Sequence, residues 1–141
     1  MTSQPILVDA NVLMDVLARR EPHFTASAAV WAAVEKRGVE GWASADSFTT
    51  LYYLLRKRSG SAMAHRCLQL VSEVFKIVPV DAALLEKALH SPLDDFEDAV
   101  QYECALRVKA ATIITRDMYH FQNTSIPAMT PAEFVAKFNL A

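Results

Sequence analysis

The stretch Ile6-Leu7-Val8-Asp9-Ala10-Asn11, near the start of the chain, decides how the rest of the sequence is interpreted. Its three consecutive branched apolar residues are typical of a short strand buried on both faces, in the middle of a parallel sheet. Asp9 follows at the carboxyl end of this strand, and Asn11 lies where the chain turns into a helix. Open α/β sheets bind ligands in the crevice beyond the carboxyl ends of their strands. We therefore expect Asp9 to face a site that handles a metal ion or a phosphate.

The composition is that of an ordinary globular domain. The 141 residues are 52% hydrophobic and 21% charged, and no apolar run approaches the roughly 20 residues that span a bilayer. The formal net charge of −2 argues against the broad basic surface of a protein that holds DNA without sequence preference. It does not exclude a nuclease, whose phosphate contacts can be few and local. Because the N-terminus lacks a cationic signal region, we expect a cytoplasmic protein, with residues 1–141 forming a single domain.

Strands alternate with helices along the chain, which predicts right-handed crossovers and a mostly parallel sheet covered on both faces. The expected fold class is α/β, a three-layer α/β/α sandwich with a central sheet of four to five strands. After the first strand, the predicted strands are Gly41–Ala45, Phe75–Val78, Ala111–Thr115 and a short one around Ile126–Met129. The predicted helices are Val12–Ala18, Phe24–Arg37, Ser47–Lys57, Ala62–Val74, Ala82–Leu89, Asp94–Lys109 and Pro131–Asn139.

Several predicted helices begin behind residues suited to cap them. Asp81 and Asp46 are interpreted as plain N-caps, and Asp94 with Glu97 fits an N-cap and its third-position partner. Thr130 with Pro131 and Glu133 combines an N-cap, a first-position proline and a capping-box glutamate. Cys67 and Cys104 are expected to be structural thiols. The histidines lack metal-ligand spacing and are expected to be surface or packing residues: His23, His65, His90 and His120.

Carboxylates occur at three places on the crevice side of the predicted sheet. Asp9 ends the first strand and Asp117 follows the fourth, while Asp95 and Asp98 share a face of the helix between them. Carboxylates brought together from separate elements repel one another unless a cation lies between them. Mg²⁺ and Mn²⁺ prefer oxygen ligands, and such an ion can activate a water against a phosphodiester. Structural alternatives remain open, because Asp9 could form an Asx turn and Asp117 could cap a short helix.

Taken in order, these motifs resemble the PIN domain family, the ribonuclease fold of VapC-type toxins. The resemblance runs over nearly the whole chain, and each motif alone is weak, whereas the ordered set with its spacing is specific. Its carriers are Val8-Asp9-Ala10-Asn11-Val12-Leu13, Phe96-Glu97-Asp98-Ala99, Ile114-Thr115-Arg116-Asp117 with Phe121, Ile126-Pro127, and Thr130-Pro131 with Glu133-Phe134.

The resemblance implies a parallel sheet flanked by helices and RNA cleavage that depends on Mg²⁺ or Mn²⁺. It also implies a homodimer neutralised by an antitoxin protein. Position by position, Asp9, Asp98 and Asp117 match the metal-binding acids of the family. Asn11 and Thr115 match polar residues that support those acids. Arg116 is a candidate phosphate contact, with no sequence feature that favours this role over an ordinary surface position.

One position departs from the family. Many members carry a glutamate in the helix after the second strand, and Thr50 occupies the corresponding place here. The site then works with fewer acids, or Asp95 supplies the missing one, or activity is weak or lost. We favour Asp95, because it shares a helix face with Asp98.

Three functions are compatible with these residues. The leading hypothesis is a metal-dependent endoribonuclease that acts as the toxin of a type II toxin–antitoxin pair. A catalytically silent RNA- or protein-binding module on the same fold is suggested by Thr50. A phosphatase with Asp9 as its nucleophile ranks last, because that chemistry needs a second acid two residues later and Asn11 stands there.

Overall fold

A computed structural model describes residues 4–122 and 124–138 and contains a five-stranded sheet in which every pairing is parallel. The spatial order is β3-β2-β1-β4-β5. The strands are β1 (Ile6–Val8), β2 (Gly41–Ser44), β3 (Lys76–Val78), β4 (Thr112–Ile114) and β5 (Ala128–Met129). The helices within the described residues are α1 (Ala10–Leu17), α2 (Phe24–Glu35), α3 (Ala45–Ser59), α4 (Ser61–Val74), α5 (Ala82–Leu89), α6 (Phe96–Arg107) and α7 (Pro131–Phe138), with a 3₁₀ turn at Met118–Phe121.

Helices cover both faces of the sheet, which confirms the predicted three-layer sandwich. Side chains of β1 alternate between two separate apolar clusters, because successive residues of a strand point to opposite faces. Ile6 and Val8 pack with residues of α1 to α4 and α7, whereas Leu7 packs with residues of α5 and α6. All three β1 side chains are buried, as the apolar run of the sequence predicts.

The site is positioned by the central place of β1 in the strand order. The chain moves from β1 outward to β2 and β3, then crosses back to β4 on the other side of β1. Val8 pairs with Ile114, so both strands end at the same level of the sheet. Asp9 and Thr115 therefore emerge side by side at the point where the strand order reverses, the usual ligand crevice of an open α/β sheet.

Helices α1 and α3 each begin two residues earlier than predicted. Helix α1 begins at Ala10 rather than Val12, so Asn11 lies in its first turn. Helix α3 begins at Ala45 behind Ser44, and the N-cap assigned to Asp46 is wrong. The structural reason is a buried polar contact, in which the hydroxyls of Ser44 and Ser47 lie 2.7 Å apart and both accept from the Gln101 amide.

The N-cap of α6 is Asp95, whose Oδ1 accepts a hydrogen bond of 3.0 Å from the Asp98 amide. The capping role assigned to Asp94 is therefore wrong by one residue. The caps at Asp81 and at Thr130 with Glu133 are confirmed, the latter by reciprocal bonds of 2.9 and 3.1 Å. The predicted helix end at residue 139 falls outside the described residues.

Two further structural expectations can be compared with the described part of the chain. Both cysteines are free and buried, in agreement with structural thiols. In residues 4–122 and 124–138, no helix has the combination of length and apolar character that a membrane span requires.

Candidate active site

Asp9 lies at the carboxyl end of β1 and is held by the neighbouring strand. The Thr115 hydroxyl donates a hydrogen bond of 3.0 Å to Asp9 Oδ2. The same hydroxyl oxygen accepts a bond of 3.2 Å from the Asp117 amide. Burial raises the pKa of Asp9 above its usual value, although the Thr115 bond and the Ala10 amide oppose this shift. Asp9 is thus a poorly solvated carboxyl group that would gain from a cation.

Asp98 reaches the same region from the third position of α6. Its side chain is 18% exposed, and its pKa is raised to about 6. Burial is the main cause, followed by the negative charge of Asp95, while the His120 ring opposes the shift. The charges of Asp9 and Glu97 raise the pKa further, which places Asp98 within electrostatic reach of Asp9.

His120 lies between two of the acids, which corrects its assignment as a surface or packing residue. Its Nδ1 is 3.0 Å from Asp98 Oδ2, and its Nε2 is 2.9 Å from Asp117 Oδ2. The 3₁₀ turn that follows Asp117 brings the His120 ring to the Asp117 side chain, because residues three apart eclipse each other in such a turn. The three-residue spacing of Asp117 and His120 was the sequence signal for it.

A continuous chain of contacts joins the candidate acids. It runs from Asp9 through Thr115 to Asp117, and from there through His120 to Asp98. The acids predicted from three separate elements thus lie at one edge of the sheet. Among the described residues, no three His, Cys, Asp or Glu side chains form a ready-made metal cage. Besides burial, the charges of Asp95, Asp9 and Glu97 raise the pKa of Asp98. Carboxylate oxygens gathered in this way suit Mg²⁺ or Mn²⁺, since magnesium uses one or two carboxylates and keeps several waters.

The other predicted site residues lie at various distances from these acids. Asp95 is exposed, caps α6 with its side chain and acts on Asp98 through its charge. Asn11 is exposed in the first turn of α1. Thr50 is half-buried on α3, and no recorded contact joins it to the acids.

Asp15 is a residue near the site that the sequence reasoning missed. It is completely buried in the second turn of α1 and forms ion pairs with Arg20 at 2.9 Å and with Arg116 at 3.0 Å. The sequence did carry a signal, because Asp15 stands three residues after Val12, on the face of α1 that is otherwise apolar.

Residues 5–119 match the PIN domain, a region that includes the strands β1 to β4 and all the acids described above. The chain belongs to the PIN domain family. This PIN domain is similar to Ribonuclease VapC1 of Aquifex aeolicus, with 26% identity over 144 residues and 99% of each chain covered.

Solved structures show the same fold. The Mycobacterium tuberculosis VapC20, described as a sarcin–ricin loop cleaving toxin, superposes with a TM-score of 0.69 at 18% identity, covering 82% of this chain and 92% of that one. A toxin–antitoxin complex from Klebsiella pneumoniae gives a TM-score of 0.67 at 18% identity, covering 89% of this PIN domain and 97% of that chain. At these identities the likeness concerns the fold.

Proposed function

We propose that this PIN domain is an endoribonuclease that depends on Mg²⁺ or Mn²⁺ and acts as the toxin of a type II toxin–antitoxin pair. The observation that carries the proposal is the convergence of Asp9, Asp98 and Asp117, from β1, α6 and the end of β4, at the reversal of the strand order. The similarity to a protein named as a ribonuclease supports RNA as the substrate. So does the name of the fold relative described as cleaving the sarcin–ricin loop.

Asp9, Asp98 and Asp117 would hold the ion, with Asp95 at the rim of the site. When bound, the ion lowers the pKa of a coordinated water and stabilises negative charge on the phosphate. Thr115 keeps Asp9 Oδ2 directed into the site by its hydrogen bond. In the metal-free protein, His120 contacts one oxygen of Asp98 and one oxygen of Asp117. Asn11, two residues after Asp9, is exposed to solvent where the substrate would lie.

The proposed partners are an antitoxin protein and a second copy of the chain, and the proposed location is the cytoplasm. The toxin–antitoxin complex among the fold relatives supports the first of these. We expect an adjacent reading frame to encode a small antitoxin protein. That protein should co-purify with this chain and block its activity. Light scattering of the purified protein measures whether it is a dimer.

Incubation with a panel of RNA hairpins tests the activity, and the panel should include a sarcin–ricin loop because of the fold relative named for it. We expect cleavage with Mg²⁺ or Mn²⁺, none in EDTA, and none by Asp9→Asn. Asp94→Asn is the matched control, because it removes the same charge from an exposed residue that makes no recorded side-chain contact with the acids. Absence of metal-dependent cleavage across the panel, with the protein folded, would contradict the proposal.

Thermal melts test metal binding at the same site. An ion that binds only the folded state raises the melting temperature by mass action. Mn²⁺ should therefore stabilise the wild type, and should stabilise Asp9→Asn much less. Without metal, Asp9→Asn should be as stable as the wild type or slightly more stable, because one repelling charge is gone.

A catalytically silent RNA-binding module is the second candidate, and one observation favours it. Asp98 and Asp117 both direct an oxygen to His120, and Thr50 adds no carboxylate. RNA binding by the wild type without cleavage at any Mg²⁺ or Mn²⁺ concentration would identify that function instead.

A further inference from the structure

One buried carboxylate near the candidate site is shared by two arginines. Asp15 has no exposed surface, and its two oxygens lie 2.9 Å from Arg20 Nε and 3.0 Å from Arg116 Nε. The arginine side chains remain 32% and 31% exposed, respectively. Two cations held by one anion leave this cluster with a net positive charge at the surface.

Both arginines lie close to the chain segment that begins at Asp9. Arg116 stands between Thr115 and Asp117 in the sequence, and its charge lowers the pKa of Asp9. Arg20 donates from Nη2 to the carbonyl of Asn11, at 3.3 Å, in the first turn of α1. The cluster of Asp15, Arg20 and Arg116 is therefore adjacent to the acids without being part of them.

We propose that Asp15 is a positioning residue that holds Arg116 and Arg20 as a binding pair for the phosphodiester backbone of RNA. This inference rests on the proposed function. Guanidinium groups suit this ligand, because their planar fork matches two phosphate oxygens. Asp15 holds each arginine at Nε and so reduces the rotamer freedom that binding would otherwise have to remove.

The electrostatics of the metal-free site favour such a pair. Asp9, Asp95, Asp98 and Asp117 repel a phosphate, and the whole chain carries a net charge of −2. An RNA strand therefore depends on local cations to approach the acids. Within residues 4–122 and 124–138, the Arg116 guanidinium meets no acceptor other than Asp15, so its terminal nitrogens are available to a ligand.

A purely structural role explains less of this arrangement. A buried carboxylate is costly unless it is paired, and one well-formed partner would reduce that cost. The contact between Arg116 Nε and Asp15 Oδ2 is an ion pair without a hydrogen bond, and both atoms are buried. The second arginine thus adds positive charge at the surface more than it satisfies the buried acid.

The experiment measures binding of a fluorescent sarcin–ricin loop hairpin in EDTA, over a range of salt concentrations, so that no cleavage is needed. Arg20→Gln and Arg116→Gln should each weaken binding roughly tenfold and reduce the slope of log K against log salt by about one. Arg107→Gln is the matched control. Arg107 is 30% exposed, pairs with Asp81 at 3.1 Å, and lies about 14 Å along α6 from Asp98.

Asp15→Asn provides the test of positioning. Removal of a negative charge should by itself tighten RNA binding, whereas loss of positioning should weaken it to about the level of Arg116→Gln. Addition of Asp15→Asn to the Arg20→Gln/Arg116→Gln variant should not weaken binding further, because the residues that it positions are gone. Circular dichroism and thermal melts establish that each variant is folded.

Folded Asp15→Asn that binds as tightly as the wild type would overturn the proposal. If Asp15→Asn does not fold, unchanged salt slopes in Arg20→Gln and Arg116→Gln would overturn it on their own, and reduced slopes in both would support it. If the wild type cleaves RNA and the arginine variants bind it as tightly as the wild type, the arginine pair is rejected and the nuclease activity stands. If the wild type binds RNA through the pair but never cleaves it, the nuclease activity is rejected and the pair stands. If the wild type does not bind the hairpin, the pair is rejected as an RNA site.

Discussion

The hydroxyl of Thr115 donates a hydrogen bond of 3.0 Å to Asp9 Oδ2 and so joins two residues that are 106 positions apart. Thr115→Val keeps the shape of the side chain and removes this donor. Because groups that orient metal ligands are typically worth 10- to 100-fold in affinity or activity, we expect cleavage to fall at least about tenfold. The measurement is cleavage rate against Mn²⁺ concentration.

Thr112→Val is the control for this substitution. Thr112 begins β4, the strand that Thr115 follows, and donates its hydroxyl to the Pro127 carbonyl at 2.8 Å, away from the acids. Both variants should lose stability by about 1 kcal/mol for the missing hydrogen bond. Equal activity in the two variants would show that the Thr115 bond supports only the fold.

His120 should compete with the metal for Asp98 and Asp117, since it contacts one oxygen of each. In His120→Ala the acids lose this partner. An exposed ion pair is worth up to about 1 kcal/mol, so the Kd for Mn²⁺ should fall by up to roughly fivefold. Isothermal titration calorimetry at pH 7 measures it.

His90→Ala is the comparison for His120→Ala, because His90 is an exposed histidine paired with Glu86 at 3.6 Å. Its Kd for Mn²⁺ should equal that of the wild type. Weaker Mn²⁺ binding by His120→Ala would mean that His120 supports the metal site instead of competing with it.

Asp98 should make the stability of the metal-free protein depend on pH. Its pKa rises from 3.8 to about 6 on folding, mainly through burial and the charge of Asp95. Folding therefore favours the protonated form, and the stability it contributes is fully present below about pH 4 and is lost as pH rises through about 6. Asp98→Asn stays neutral and lacks this loss. Between pH 4.5 and 7.5 in EDTA, the wild type should lose roughly 3 °C relative to Asp98→Asn.

Asp94→Asn, measured in the same buffers, controls for the removal of a nearby charge. Asp94 is exposed and does not contribute to the raised pKa of Asp98. Its melting temperature should follow that of the wild type. If the difference between wild type and Asp98→Asn is constant with pH, Asp98 does not titrate in this range and the repulsion within the site is weak.

Thr50→Glu tests whether Thr50 occupies the place of the family glutamate. Thr50 is half-buried on α3, so a glutamate there should be tolerated and should tighten Mn²⁺ binding by roughly tenfold, because ligand charge sets the affinity of such sites. Thr49→Glu adds the same charge one residue earlier, on an exposed part of the helix, and should leave Mn²⁺ binding unchanged. If Thr50→Glu unfolds, or binds Mn²⁺ no better than Thr49→Glu, the correspondence is wrong.

Much of the fold follows from local patterns. Ile6-Leu7-Val8 predicts a central buried strand, because three consecutive branched apolar residues are stable only when both faces are covered. Thr130 and Glu133 predict the start of α7, since a capping box needs only residues three apart. The N-cap of α6 was misplaced by one residue, because Asp94 and Asp95 are equally suitable caps and only the packing of the helix selects between them.

Acids are predicted after β1, after β4 and at the start of α6, because each of these positions is set by a local strand or helix signal. Which side chains meet there depends on the tertiary structure. His120, in the 3₁₀ turn, contacts Asp98 of α6. Arg116, which follows β4, contacts Asp15 of α1. Such contacts depend on strand order and on how helices pack against the sheet. Residues far apart in the chain carry no local periodic signal of that arrangement, so their pairing cannot be read from sequence spacing.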